Sequence, residues 1–154
     1  GVVEIFDTRT KKWSKGPELP TPRHHHAAAA VDGVVTVVGG RDGPSFSMAA
    51  VEQLDTRTGR WRTGRPLPLA SGALTAAVSG NRLIVTGGGD DADGWVTPAT
   101  WELAPDGSWT RLPDLAIARH GHGMAALGDT VYVFGGSPCA GYGTTDTVEA
   151  LNLR

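Results

Sequence analysis

Three stretches of the chain superimpose on one another when it is shifted by 48 residues, and the positions that coincide are those that set strand geometry. Gly39-Gly40, Gly87-Gly88 and Gly135-Gly136 keep that interval, as do Trp13, Trp61 and Trp109. Leu19, Leu67 and Leu115 obey it, and so do Arg23, Ser71 and Arg119 and the turn pairs Asp32-Gly33, Gly80-Asn81 and Gly128-Asp129. A self-similarity of this length marks a repeat architecture, in which each unit buries its apolar surface against its neighbours. The 154 residues hold little more than three units.

Within one unit, Ala27 to Val31 and Val34 to Gly40 read as two strands joined by Asp32-Gly33. Asp-Gly suits a type I′ hairpin, whose two central residues both need positive φ, and Gly80-Asn81 and Gly128-Asp129 are expected to serve the same purpose. Val35 and Val37, Leu83 and Val85, and Val131 and Val133 alternate along the second strand, the period of a strand packed against another layer. The diglycine closes that strand, where missing side chains permit close backbone approach or positive φ. A third strand is expected at Val51 to Asp55, repeated at Val3 to Asp7, Thr100 to Leu103 and Val148 to Asn152, and a fourth at each Trp. Asp7 and Asp55 stand where an Asx-type turn would join the last two. First strands rich in small residues (Ala27 to Ala30, Thr75 to Ala77, Gly123 with Ala125 and Ala126) suit crowding around an axis. Four antiparallel strands per unit, arranged radially, describe a propeller blade.

Composition agrees and narrows the function classes. With 22 Gly, 10 Pro and no run at helical spacing, the chain reads as all-β with many turns. A formal net charge of -2 gives no attraction for a phosphate backbone or anionic lipid, so neither nucleic acid nor a membrane is an expected partner. No apolar stretch approaches the roughly 20 residues of a spanning helix. The single Cys139 forms no intrachain disulfide. Neither an initiator Met nor a signal-peptide pattern opens the chain, which reads as a processed product or a piece of something longer and leaves the compartment open.

The pattern resembles the kelch repeat, whose blade carries an Arg near the start of the innermost strand, a diglycine closing the second, an apolar or aromatic residue followed by Asp in the third, and a Trp in the fourth. Here the matching stretches are Arg23 to Val31, Val34 to Gly40, Val51 to Asp55 and Trp61; then Ser71 to Gly88 with Trp109; then Arg119 to Gly123 running to Gly136. Three departures stand out: Ser71 replaces the Arg, Phe6 and Leu54 stand where Tyr is usual, and no Asp follows Leu103. The resemblance implies an all-β fold of kelch-type propeller blades. Residues 1–22 supply the third and fourth strands of a partial blade, 23–66 and 71–112 two full blades, and 119–154 a blade lacking its fourth strand.

That makes about three blades, whereas closed propellers have roughly 4–8. The ring is expected to be incomplete unless a longer chain or oligomerisation completes it. Two copies would give about six blades as a closed homodimer, the N-terminal segment through Trp13 lending the fourth strand that the last blade lacks.

Candidate site residues follow from the resemblance. In kelch proteins that bind peptides, the residues opening the innermost strand and those of the loop after the diglycine line the mouth of the central channel. By position these are Arg23, His24, His25, Ser71, Arg119 and His120, with loop residues Arg41, Ser45, Phe46, Ser47, Asp90, Asp91, Asp93, Trp95, Tyr142 and Thr144. Strand alternation would turn His25 away from His24 and His26. For Arg23 and Arg119 a second role is open, in which the guanidinium ties neighbouring blades through backbone or carboxylate acceptors. His26 and His122 fit a packing position. A metal site built on the five histidines, or a cation held by the acidic loop Asp90-Asp91-Ala92-Asp93, is the less economical reading, and no cofactor is expected.

The leading expectation is therefore a non-catalytic segment that binds a protein or peptide at the loop-bearing mouth. One alternative is a sugar enzyme of the kelch mutarotase or epimerase kind, with His25 or His120 and Glu102 or Asp90 as acid and base. Another is a structural module that assembles into a ring. Copper-oxidase chemistry, which some kelch propellers support, would need two Tyr and a crosslinking Cys; Tyr132, Tyr142 and Cys139 do not stand in that arrangement.

Overall fold

The computed structural model describes residues 1–43, 46–90 and 92–154. Ser45 and Asp91, both expected at the mouth, lie outside the described residues. The described residues form strands and turns and no helix. Strands β1 (Glu4–Asp7) and β2 (Lys12–Lys15) pair as a hairpin. The first full blade comprises β3 (Ala27–Val31) and β4 (Val34–Val38), then, beyond a small ribbon of β5 (Arg41–Asp42) and β6 (Phe46–Ser47), β7 (Val51–Asp55) and β8 (Arg60–Thr63). The second repeats it with β9 (Thr75–Ser79), β10 (Arg82–Thr86), the ribbon β11 (Gly89–Asp90) and β12 (Trp95–Val96), β13 (Thr100–Leu103) and β14 (Trp109–Leu112). The third ends after β15 (Gly123–Leu127), β16 (Thr130–Phe134) and β17 (Val148–Asn152). Each sheet is an antiparallel meander in strand order, β3-β4-β7-β8, β9-β10-β13-β14 and β15-β16-β17, and the blades do not close a ring. The two ribbons in the loops after the diglycines were not foreseen.

The turns that join first and second strands divide into two kinds. Asp32 and Gly33 both have positive φ, +48° and +78°, as a type I′ turn requires. In the other blades only the leading glycines, Gly80 and Gly128, are left-handed, which corrects the expectation of one turn type and matches II′, where Gly takes the first central position. The Asx turns are as expected: Asp7 Oδ1 accepts from the Arg9 and Thr10 amides, and Asp55 Oδ1 from those of Arg57 and Thr58. These bonds hold both carboxyls below their ordinary pKa.

The core lies between blades. Ala27, Val38 and Val51 on one face of the first blade meet Leu74, Leu83, Val85 and Leu103 of the second. Ile84, on the opposite face of the second blade, meets Val131 and Val133 of the third. The alternating residues Leu83 and Val85 thus pack backward, and the residues between them pack forward. The first strands lie side by side, β3 against β9 and β9 against β15, as small side chains allow.

The diglycines are where successive blades touch. A Cβ on Gly39 would lie 2.6 Å from the Ser71 carbonyl oxygen and 2.7 Å from Leu74 of the next blade; on Gly87 it would lie 2.5 Å from Arg119 O and 2.5 Å from His122. The following glycine donates across the same junction, Gly40 N to Ser71 O and Gly88 N to Arg119 O, each at 2.9 Å. Trp61 Nε1 donates to Pro17 O (3.1 Å) and Trp109 Nε1 to Arg65 O (3.0 Å), so the fourth-strand Trp clasps the outer edge of the preceding unit.

Candidate functional site

The innermost strands begin at Ala27, Thr75 and Gly123, later than the stretches from Arg23 and Arg119 suggested. The residues before them form a separate structure. His24, Gly72 and His120 each make an isolated antiparallel bridge to the residue after the diglycine, Arg41, Gly89 and Ser137. The next residue is left-handed in all three blades: His25 (φ +54°), Ala73 (+55°) and Gly121 (+61°). These three positions form a backbone ladder across the blades, Ala73 N donating to His25 O and Gly121 N to Ala73 O, both at 2.8 Å. His25 is thus set by a left-handed step, and the expected alternation of His24, His25 and His26 along a strand does not hold. Gly121 carried the signal, since glycine favours this conformation.

Beside this ladder opens a cleft of about 510 Å³, lined by His25, Ala73, His120 and Gly121 on one side and by the last loop, with Tyr142 and Thr144, on the other. Tyr142 is fully exposed. His120 Nε2 donates to Cys139 O (3.0 Å), since a carbonyl can only accept, which leaves Nδ1 of the neutral ring as an acceptor. By the same argument His24 Nε2 donates to Gly43 O, and His25 Nδ1–H donates to His24 Nδ1. Phe46 projects from its ribbon, 73% exposed. Thr144 is exposed, and Trp95 is half-buried in β12.

Other candidates do not face the mouth. Arg23 and Arg119 have fully buried guanidinium side chains. Arg23 bonds Thr21 O and Glu52; Arg119 bonds Ile117 O, Gly135 O, Thr147 O and Glu149. Both ties stay within one blade, joining the entry of the innermost strand to the third strand. The middle blade has lost both partners together. Ser71, buried, donates only to Leu69 O, and Trp101 stands opposite Val85 where Glu52 and Glu149 stand opposite Val37 and Val133. Glu52 and Glu149 were not singled out in the sequence, because their pairing depends on strand register. Arg41 is buried, its stem lying where a Cβ on Gly72 would fall.

Asp90 organises the loops. Its carboxylate accepts from Ser47 N of the neighbouring ribbon (3.1 Å) and from the amides of Ala92 and Asp93, while Ser47 Oγ donates to Gly89 O (3.0 Å). Although burial opposes it, these donors lower the Asp90 pKa. Among the described residues no three or more His, Cys, Asp or Glu side chains gather as a metal site. Glu102 is held by Arg82 Nε and Nη2 (2.8 and 2.6 Å), and so is not brought to His25 or His120.

His122 is buried across the junction of the second and third blades, with Nε2 2.7 Å from Thr75 Oγ1 and 2.9 Å from Thr86 Oγ1. Desolvation, with the charge of Arg119 nearby, lowers its pKa to about 4. It is a packing residue, as its position in the repeat implied. His26, the equivalent in the first blade, is exposed by surface area yet also lowered, mainly by desolvation.

The KLHDC2/KLHL20/DRC7 Kelch-repeats domain matches residues 2–136. The chain belongs to the kelch-repeat family. That match spans the hairpin, both full blades and the third diglycine, so the kelch blade describes nearly the whole chain. No curated protein matches the chain. Kelch domains commonly serve as protein-binding propellers, and this segment carries that architecture.

Proposed function

We propose that this kelch segment binds a protein or peptide at the cleft beside the left-handed ladder, without catalysis. The observation that carries the reading is the cleft lining. His25, His120, Tyr142 and Thr144 present rings and hydroxyls around open space, and among the described residues no carboxylate, lysine or arginine lines it. Such a surface suits an uncharged, hydrogen-bonding peptide segment, with aromatic side chains giving contact area at low entropic cost. The frame repeats while the loops differ, which is how a scaffold presents binding residues.

Selection of displayed peptides against the chain, followed by titration of the selected peptide with Tyr142→Ala and His120→Ala, tests this. Each substitution is expected to weaken binding by about tenfold or more, the scale of a central aromatic contact. Unchanged affinity in both variants would overturn the assignment of the mouth.

The two ends favour a second reading, completion of a ring by further blades from a longer chain or from a second copy. Leu127, Phe134 and Val148 lie exposed on the outer face of the third blade, and Ile5, Phe6 and Trp13 are exposed at the N-terminal hairpin. Each is an apolar surface of the kind that the internal junctions bury.

A further inference from the structure

The two internal junctions differ at the end away from the mouth. Between the second and third blades, Arg82 of β10 forks onto Glu102 of β13 and its Nη1 donates across the junction to Leu153 O (2.7 Å). Ser79 Oγ adds a bond to Gly128 O (2.7 Å). Between the first and second blades the corresponding positions, one repeat earlier, are Val34, Gln53 and Val31. Strand register confirms the match, since Thr36 lies opposite Gln53 as Ile84 lies opposite Glu102. The first blade carries Val at the place of Arg82, and a cleft of about 350 Å³ stands at this junction, with Val34, Gln53, Pro105 and, opposite Gln53, Arg62 in its lining.

We propose that this cleft receives an arginine side chain from a protein or peptide partner, in the way that Arg82 occupies the next junction. Val34, Val51, Leu83 and Leu103 line it with apolar groups against which an aliphatic stem packs. By the repeat, Pro105 stands at the place of Leu153 and Gln53 at that of Glu102. Gln53 uses its Nε2 to donate to Thr36 Oγ1 (3.1 Å), which leaves Oε1 to accept. Asp32 and Asp106 add carboxylates at the turn end. Arg62 and Arg65 line the outer-strand side and suit an acidic neighbour of the entering arginine. This site is remote from the mouth and its occupancy does not depend on what binds there.

Titration of the chain with N-acetyl-arginine amide, followed through the side-chain amide NMR signals of Gln53 and Asn81, tests the inference. The citrulline counterpart serves as the uncharged control and N-acetyl-aspartate amide as the acidic one. The arginine probe is expected to shift both signals and the two controls to leave them in place. Gln53→Glu, which restores the carboxylate of the neighbouring junction, should tighten binding by about tenfold, as a charged acceptor replaces a neutral one. Val34→Arg, which fills the cleft from within, should abolish it, and Gln53→Leu should weaken it without adding bulk. Equal shifts with citrulline, a response to the aspartate probe instead, or unchanged binding in Gln53→Glu and Gln53→Leu would each overturn the proposal.

Discussion

His122 Nε2 of the third blade stands 2.7 Å from Thr75 Oγ1 of the second, so a titratable ring lies buried in the junction between them. The ring is neutral when folded because burial and Arg119 both oppose its charge. At the preceding junction the same position is Leu74, seated against Gly39.

Acid is therefore expected to loosen the second and third blades first. The folded pKa of about 4 lies below the ordinary 6.5, so the contribution of neutral His122 is complete above pH 6.5 and is lost as pH falls toward 4. The loss amounts to ~3 kcal/mol by linkage. His122→Leu should flatten this acid limb in urea titrations run between pH 7 and 4. An acid limb as steep in the variant as in the parent would contradict the assignment.

The diglycine geometry predicts a graded response to Ala. Gly39→Ala and Gly87→Ala drive a Cβ into backbone of the next blade as well as into left-handed strain, and should cost about 2–4 kcal/mol. Gly43 is left-handed and, among the described residues, no atom lies within 4 Å of its missing Cβ, so Gly43→Ala should cost only about 1–2 kcal/mol. Thermal melts of the three variants compare them directly; equal losses would show that blade contact is not what the diglycine serves.

Arg119 is fully buried with four acceptor groups around it. Removing one partner of such a pair leaves a charge without compensation, so Glu149→Gln is expected to destabilise by about 3–5 kcal/mol. Arg82→Ala, which breaks a pair that is partly exposed, should cost about 1 kcal/mol. Denaturant midpoints provide the check, and a smaller loss at Glu149 than at Arg82 would contradict the burial argument.

Trp109→Phe keeps the ring in the blade edge and removes the bond to Arg65 O. The expected loss is about 1 kcal/mol with unchanged spectra of the remaining blades. A loss several times larger would mean that packing, and not the clasp, differs between the two side chains.

How much was legible in the sequence follows from how local each signal is. Diglycines, turn pairs and Asx residues act through their own backbone, so Val51–Asp55, Val148–Asn152 and the other third strands fall close to where the repeat placed them. Roles set across blades were hidden. Asp90 looked like a mouth residue, yet its carboxylate is used by Ser47, 43 residues away. The Arg23–Glu52 and Arg119–Glu149 pairs require strand register, which one chain states only through hydrophobic alternation. His25 was misplaced because the left-handed step before the innermost strand shows in sequence only at Gly121. Ser71 with Trp101 is the converse case, a joint replacement that becomes intelligible once the Glu positions are known.

The account rests on each blade needing a neighbour on both faces, and solution mass tests that most directly. Sedimentation of the 154-residue chain should show self-association, with a species near twice 16.0 kDa if two copies complete one ring. A compact monomer whose mass does not change with concentration, and which melts cooperatively with Leu127, Phe134 and Val148 open to water, would contradict it.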